Sequence, residues 1–265
     1  MIKVLARTIL SLGFNPIQFF YSIKGIPAFI SDYIKISNAK SEYPKFGKIT
    51  ISPCLGDRYE QGGDMKSVYF QQDLFVAQQL FKNNPVNHLD IGSRTDGFIA
   101  HIATFREIDV VDIRDITSVV PNIQFRQSDM MKTDPTLYNK YASVSSLHAL
   151  EHFGLGRYGD PIDLDGHLKA ITNIYHILTD GGLFYFSTPI GSQRIEFNAH
   201  RVFSVSYLLE VFKNRFIVES FSYIDDNKNI YKNHPLDSEQ VAQNFGCTYG
   251  CGIFILRKIT TPASL

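Results

Sequence analysis

The chain has 265 residues, 44% of them hydrophobic and 20% charged, which suits a soluble α/β core with an added segment and excludes a disordered or fibrous protein. Twenty-six lysines and arginines match twenty-six aspartates and glutamates, so no global field draws the protein to a nucleic-acid polymer. Three cysteines, Cys54, Cys247 and Cys251, are too few and odd in number for a disulfide framework, so free thiols in a reducing cytoplasm are expected. Cys247 and Cys251 have no second cysteine or histidine pair at zinc spacing, and packing is the better account of them.

Residues 1–47 read as a basic, amphipathic helical appendage to a domain at 48–265. Within Met1–Ile36, Lys3, Arg7, Lys24 and Lys35 stand against one acid, Asp32, among clusters such as Ile17-Gln18-Phe19-Phe20. Gly13, Pro16, Gly25 and Pro27 are expected to break the stretch, so no run approaches the roughly 20 apolar residues that span a bilayer. Helices capping the main domain outweigh a weak attachment to the inner membrane face, which stays open as the second reading. From Val68 to Phe81 helical spacing puts Phe70, Leu74, Ala77 and Phe81 on one face, ending near Asn83-Asn84-Pro85.

A short strand over Asn87–Ile91 then meets Gly92-Ser93-Arg94-Thr95-Asp96-Gly97, and helical spacing resumes at Phe98. Further strands are expected at Ile108–Ile113, around Ile123–Arg126 and at Ala142–Leu147. A helix over about Asp165–Leu178 should stop at Thr179-Asp180-Gly181-Gly182, before the strand Leu183–Ser187. A helix over Val205–Lys213, a strand over Phe216–Ile224 and a last strand over Ile253–Arg257 complete the pattern, with irregular structure across Asp225–Gly246. Strands alternating with helices imply a mostly parallel sheet covered on both faces.

In such a sheet the ligand crevice lies beyond the carboxyl ends of the strands. Polar residues follow four strands in turn: Asp90-Ile91-Gly92-Ser93, Asp112, Ser128-Asp129 and Leu147-His148. A glycine turn lets backbone approach a ligand, and an ionised acid at the second strand's end can accept two ribose hydroxyls. Gly92 and Asp112 are 20 residues apart, the separation of dinucleotide and related sites. Each feature alone more often joins or caps an element; their order is what carries the reading.

With Leu178-Thr179-Asp180-Gly181-Gly182-Leu183 and Ser187-Thr188-Pro189 added, the chain over roughly Phe81–Lys258 resembles the class I S-adenosylmethionine-dependent methyltransferase superfamily. The resemblance implies a Rossmann-like fold with a mostly parallel seven-stranded sheet. It also implies that Asp90, Gly92 and Ser93 line the methionine portion of the cofactor, with Gly97 closing the turn. Asp112 would hold the ribose, Ile113 pack on the adenine, Asp129 and Met130 meet its amino edge, and Leu147 close the floor with His148. Arg94 departs from the pattern, standing where a small residue or glycine is usual. It can clamp the methionine carboxylate, pair with Asp96, or fill the pocket of a domain that binds nothing.

Chemistry should lie beyond the fourth and fifth strands. Ser146–His167 holds His148, Glu151, His152, Arg157, Asp160, Asp163, Asp165 and His167 among four glycines, and His200-Arg201 follow later. Asp163 and Asp165 are better read as helix caps. His152 or His148 is the candidate base, with Glu151 beside them, and Arg157, His200 and Arg201 are candidates to hold an acceptor. Asp160, Asp163 and Asp165 offer hard-cation ligands without a fixed geometry, so a divalent metal is left open. His148–Asp160 and Phe197–Arg201, with Tyr69–Asp73 and Asp90–Phe98, also resemble a bacterial methyltransferase-like family encoded beside surface-polysaccharide genes. That implies a sugar, nucleotide-sugar or oligosaccharide acceptor for a cytoplasmic O-methyltransferase. The rivals are a non-catalytic scaffold in glycan assembly and a nicotinamide-dependent nucleotide-sugar oxidoreductase, the latter disfavoured by the missing glycine-x-glycine core. Oligomeric state has no signal in the sequence.

Overall fold

A computed structural model describes residues 2–39 and 48–260, which fall into two compact units, Met1–Asp64 and Met65–Leu265. The expected boundary at residue 47 lies outside the described residues.

The first unit is built on two helices, α1 (Ile2–Ser11) and α2 (Pro16–Ala39). Gly13, at φ +86°, turns the chain between them, and Pro16 opens α2 where its missing N–H is not needed. Gly25 and Pro27 do not break the segment as expected; both lie inside α2. Gly25 has a packing reason, because a Cβ there would come within 1.9 Å of the Leu55 carbonyl oxygen. Its bare backbone lets the segment after Leu55 lie on the helix, where Tyr59 stacks on Tyr21 and Arg58 pairs with Asp32. No helix among the described residues is long and apolar enough to cross a membrane.

The second unit opens with α3 (Val68–Asn83), capped by the Ser67 hydroxyl accepting from the Phe70 N–H. Of the expected Phe70–Leu74–Ala77–Phe81 stripe only Ala77 is buried. Phe81 is 65% exposed, and Gln72, Asp73, Val76 and Leu80 point inward. The apolar periodicity misleads because Gln72 and Asp73 are buried as a bonded polar pair: Gln72 Nε2 donates to Asp73, and Gln72 Oε1 accepts from Ser187 at 2.7 Å.

The strands are β1 (Leu89–Ile91), β2 (Ile108–Asp112), β3 (Ile123–Gln127), β4 (Tyr141–Leu147), β5 (Leu178–Ile190), β6 (Arg194–Glu196), β7 (His200–Val202), β8 (Phe216–Ile224), β9 (Ile230–Tyr231) and β10 (Gly250–Lys258). The main sheet runs β3-β2-β1-β4-β5-β10-β8-β9. Strands β1 to β5 are mutually parallel, and β10 is antiparallel to both neighbours. It therefore has eight strands, not seven. The extra one is β9, which folds back on β8 through the pairs Tyr223–Tyr231 and Ile224–Ile230, inside the stretch expected to be irregular. A separate two-stranded sheet pairs β6 with β7.

Helices cover both faces. On one, α5 (Gly166–Ile177) and α6 (Val205–Phe212) bury Ile171, Ile174, Leu208 and Phe212 against Phe184, Phe186 and Phe254. On the other, α3 and a π-helical turn at Thr95–Ile99 continuing as α4 (Ala100–Ala103) bury Val76, Leu80, Phe98 and Ile102 against Val110, Tyr185 and Ile253. Alternation along β5 and β10 serves the two cores in turn. A short helix, α7 (Ser238–Ala242), follows β9. From β1 the chain crosses toward β2 over one face, and from β4 toward β5 over the other. A topological switch point thus lies between β1 and β4, and their carboxyl ends open a crevice.

Candidate active site

Under the crevice runs a row of buried polar groups. Asp90, inside β1, accepts from the Ser93 N–H at 3.0 Å, the Ser93 hydroxyl at 2.7 Å and the Ser145 hydroxyl. Ser145 in turn meets His88 Nε2 at 2.9 Å. Burial pushes the Asp90 carboxyl up to about 6, with its hydrogen bonds opposing the shift, and burial drives His88 down to about 3. The row fixes the turn after β1 from below, so Asp90 and Ser93 brace the turn and are not among the pocket-lining side chains. Leu147 is likewise core, its N–H donating to the Ser93 hydroxyl.

The turn above meets the crevice at Gly92, whose φ is +72° and whose added Cβ would stand 3.0 Å from that of Ala149. Gly97 is needed for a different contact, since a Cβ there would fall 2.2 Å from the Asp73 carboxylate. A cavity of about 840 Å³, including its open mouth, extends from this turn. Ile91, Val111, Ile113 and Met130 give it an apolar side, and Asp112, Asp129, His148, His152, Arg157 and Tyr158 a polar one.

Arg94 lies on the rim and does not fill the cavity. Its guanidinium forks onto Asp96 at 3.0 and 2.7 Å and lies 5.2 Å from the Tyr69 ring centre. A second arginine, which the sequence reading passed over, matters more. Arg114 takes the Asp112 carboxylate through its backbone N–H at 2.8 Å, Nε at 2.9 Å and Nη2 at 2.7 Å. It also lies over the Tyr158 ring at 4.4 Å. The Asp-x-Arg spacing was visible in the sequence; the fork was not. Asp129 caps its own loop by accepting from the Met131 N–H.

The segment after β4 forms the opposite wall. His148, in the left-handed region at φ +50°, directs Nδ1 to Glu151 Oε1 at 3.0 Å. Both are buried. Burial opposes the charge on His148, but the Cys251 sulfur and the Glu151 carboxylate hold its imidazole well above the ordinary value. Burial likewise works to raise Glu151, and His148 outweighs it, keeping the carboxyl low. His152 Nδ1 faces the Ala199 carbonyl at 2.7 Å. A carbonyl only accepts, so Nδ1 carries the proton and Nε2 keeps its lone pair, 4.0 Å from Glu151 Oε1. Burial, helped by Arg157 and opposed by Glu151, holds the His152 pKa below its ordinary value.

Arg157 donates to the same Ala199 carbonyl at 3.0 Å and reaches the Tyr158 ring. Its guanidinium therefore has a partner that the sequence did not reveal. His200, on β7, lies beside the site, its ring 6.1 Å from that of His152. Arg201, expected at the acceptor, is turned away: Nη1 donates to the Phe153 carbonyl at 2.6 Å and Nη2 to that of Leu164 at 3.0 Å, stapling the loop. The three aspartates are structural. Asp160 accepts from the N–H groups of Gly154 and Tyr158, Asp163 pairs with Lys169 and accepts from the Asp165 N–H, and Asp165 occupies the N-cap position of α5. Among the described residues no cluster is arranged to hold a metal ion. Cys54, Cys247 and Cys251 are free thiols, the last two packed in the cores.

This strand order, with its antiparallel β10 and a crevice at the β1/β4 switch, is the Rossmann-like fold of class I methyltransferases. It is shared with the 1,6-didemethyltoxoflavin-N1-methyltransferase of Burkholderia thailandensis in complex with 1,6-didemethyltoxoflavin and S-adenosylhomocysteine, at 10% identity over 89% of each chain and a TM-score of 0.50. A putative sarcosine dimethylglycine methyltransferase from Galdieria sulphuraria matches at 12% identity over 72% of this chain and 85% of its own, also with a TM-score of 0.50. The [4+2]-cyclase SpnF matches at 14% over 76% and 86%, again at 0.50. The likeness is one of fold. No curated protein matches the sequence. A family model described as "Caenorhabditis protein of unknown function, DUF268" matches residues 99–259, more than half the chain, and the protein belongs to that family.

Proposed function

We propose that the protein is an S-adenosylmethionine-dependent O-methyltransferase acting on a sugar, a nucleotide sugar or an oligosaccharide in glycan assembly, with His152 as the base. The observation that carries this reading is the state of His152. It lies on the wall of the same cavity as Gly92 and Asp112, its Nδ1–H is spent on Ala199, and its Nε2 lone pair is unspent.

The residues fit the cofactor. Gly92 offers close backbone approach, Ile113 and Met130 an apolar face for adenine, and Asp112 an ionised acceptor for ribose once Arg114 gives way. The cofactor supplies an electrophilic methyl group, and the chain's own task is to align a nucleophile and take its proton. His152 Nε2 takes the acceptor hydroxyl's proton, and Glu151, 4.0 Å away, favours the imidazolium that results. Tyr69 and Tyr158 supply ring faces and Arg157 a donor, a lining suited to a polyhydroxylated ring. Beside His152, Glu151 Oε2 is buried without a hydrogen-bond partner, and His200 Nε2 stands 3.7 Å from Glu196 Oε2.

The second reading, a non-catalytic module, has the Arg114 fork on Asp112 in its favour. Calorimetric titration with S-adenosylhomocysteine, followed by methyl-transfer assays of wild type and His152→Ala on a panel of nucleotide sugars and oligosaccharides, separates the two. The expected result is cofactor binding in both proteins and a fall in rate of about 10²–10⁴ in the variant. Because the His152 pKa is lowered, the base stays neutral into mildly acid solution. The acid limb of kcat/KM should therefore have its midpoint below the usual histidine range near 6.5. No binding of the cofactor sinks the enzyme reading; wild-type rates in His152→Ala remove His152 from it.

A further inference from the structure

Helix α2 carries its charges and its packing on one side. Tyr21, Gly25 and Asp32 face the segment Leu55–Tyr59, and Lys24 lies over the Tyr59 ring at 4.5 Å. The other side has a different pattern. Phe19, Ile23, Ile26, Ile30, Tyr33 and Ile34 follow at intervals of four, three, four, three and one, which puts all six within about 100° of the helix circumference. Each is between 41% and 54% exposed. Leu12 and Phe14, in the turn before α2, are exposed as well. A row of this length, roughly 22 Å at 1.5 Å per residue, is not the scattered apolar exposure of an ordinary surface.

The spacing also matches the seam of a two-stranded coiled coil, so a second copy of the helix is the competing occupant. Two features count against it. Coiled-coil pairing is specified by charges flanking the seam, and the flanking positions here, Phe20, Ser22, Phe29 and Ile36, are uncharged. Pro27 sits beside the seam in mid-helix and removes one intrahelical hydrogen bond, which opposes a long regular partner interface. A wide apolar face with cations opposite is the pattern of a helix lying in a lipid interface. Residues Met1–Ala39 hold four cations and one acid, the sign that suits anionic headgroups.

We infer that the Phe19–Ile34 face of α2 is a docking surface for an anionic lipid bilayer, on which the helix lies parallel to the membrane without crossing it. Occupancy by lipid buries the row and leaves Lys24 and Lys35, on the opposite side, at headgroup level or above it.

The test is flotation of the full chain on phosphatidylglycerol–phosphatidylcholine vesicles and on pure phosphatidylcholine, at low and high salt, beside the variants Ile23→Glu/Ile30→Glu and Ile23→Leu/Ile30→Leu. Sedimentation without lipid accompanies it. The expected result is recovery with anionic vesicles that falls with salt, is kept by the leucine variant and drops about tenfold or more in the glutamate variant, since each displaced isoleucine forfeits a large buried area. Circular dichroism of the glutamate variant checks that the helix survives. The proposal is overturned if the wild type does not float or the two variants float alike. It is overturned too if the lipid-free wild type is a dimer that the glutamate variant converts to monomer, because the face would then belong to a second copy.

Discussion

On the proposed reading, Arg114 and a bound ribose would compete for the same two oxygens of Asp112, and this rivalry would set the affinity of the cavity. Asp112 is buried while the Arg114 side chain is about half exposed, so their ion pair is worth only about 0.2–1 kcal/mol after solvent screening. A charge-assisted bond from ribose to the buried acid is worth roughly 1.5–3 kcal/mol. Binding would thus proceed against a modest opposing contact. Asp112→Ala should weaken S-adenosylhomocysteine binding by roughly one to two decades, whereas Arg114→Ala should tighten it up to about fivefold. Calorimetry on both proteins decides the matter: weaker binding in Arg114→Ala would make Arg114 part of the ligand's own contacts, stacked with Tyr158. Polar residues at strand ends were legible in the sequence because topology opens the crevice there. The partners of those residues were not, because a fork such as Arg114–Asp112 or the Arg201 staple depends on where two loops meet. Gln72 and Asp73 show the same limit from the other side. Polar residues inside a helix pattern read as solvent-facing until Ser187 and Gly97 are seen opposite them.

At the scale of elements, the loop from Ala149 to Asp165 must present His152 and Arg157 while turning sharply enough to enter α5. Gly154 sits at its tightest point, with φ +76°, a hydrogen bond from its N–H to Asp160 and a built Cβ only 1.8 Å from the Asp163 carbonyl oxygen. Gly159 has a similar φ of +81° but no neighbour within 4 Å of such a Cβ. Alanine at either position carries backbone strain of about 1–2 kcal/mol. Only at Gly154 must the chain also move to relieve a backbone clash. Gly154→Ala should therefore lower the denaturation midpoint clearly more than Gly159→Ala. It should also impair acceptor turnover more than cofactor binding, because the loop holds His152 and not Asp112. Equal midpoints for the two variants would mean the loop has slack that the contacts do not suggest. The loop's glycines and acids were plain in the sequence, and so were the helix over α6 and the strand of β8. Two kinds of element escaped. β6, β7 and β9 are two or three residues long and owe their pairing to a neighbouring strand, which a local pattern cannot display. β5 begins at Leu178, upstream of Gly181 and Gly182, so a glycine pair expected to separate helix from strand lies within an irregular edge of the strand itself.

Across the whole molecule, the excess of positive charge and the cavity fall in different parts of the chain. The balance of 26 against 26 conceals four cations and one acid in Met1–Ala39, which leaves twenty-two against twenty-five in the rest. Every residue lining the cavity falls between Tyr69 and Asp160, within the unit Met65–Leu265, and both buried cores are formed there too. Cofactor binding should therefore belong to that unit alone, and the apolar face of α2 should add location without adding affinity. A chain beginning at Met65 is expected to bind S-adenosylhomocysteine within about twofold of the full chain, a difference below about 0.5 kcal/mol. Ligand at a hundredfold excess over Kd stabilises a binding-competent fold by about 2.7 kcal/mol. For a unit of this size each kcal/mol raises Tm by about 2–4 °C, so the ligand should lift the melting of both chains by about 5–11 °C. The shortened chain should at the same time fail to float on anionic vesicles. Thermal melting with and without ligand, run beside flotation on the same two proteins, measures both halves. If the shortened chain melts cooperatively yet shows no ligand-induced shift while the full chain does, residues before Met65 contribute to the cavity, and location and binding are not separable.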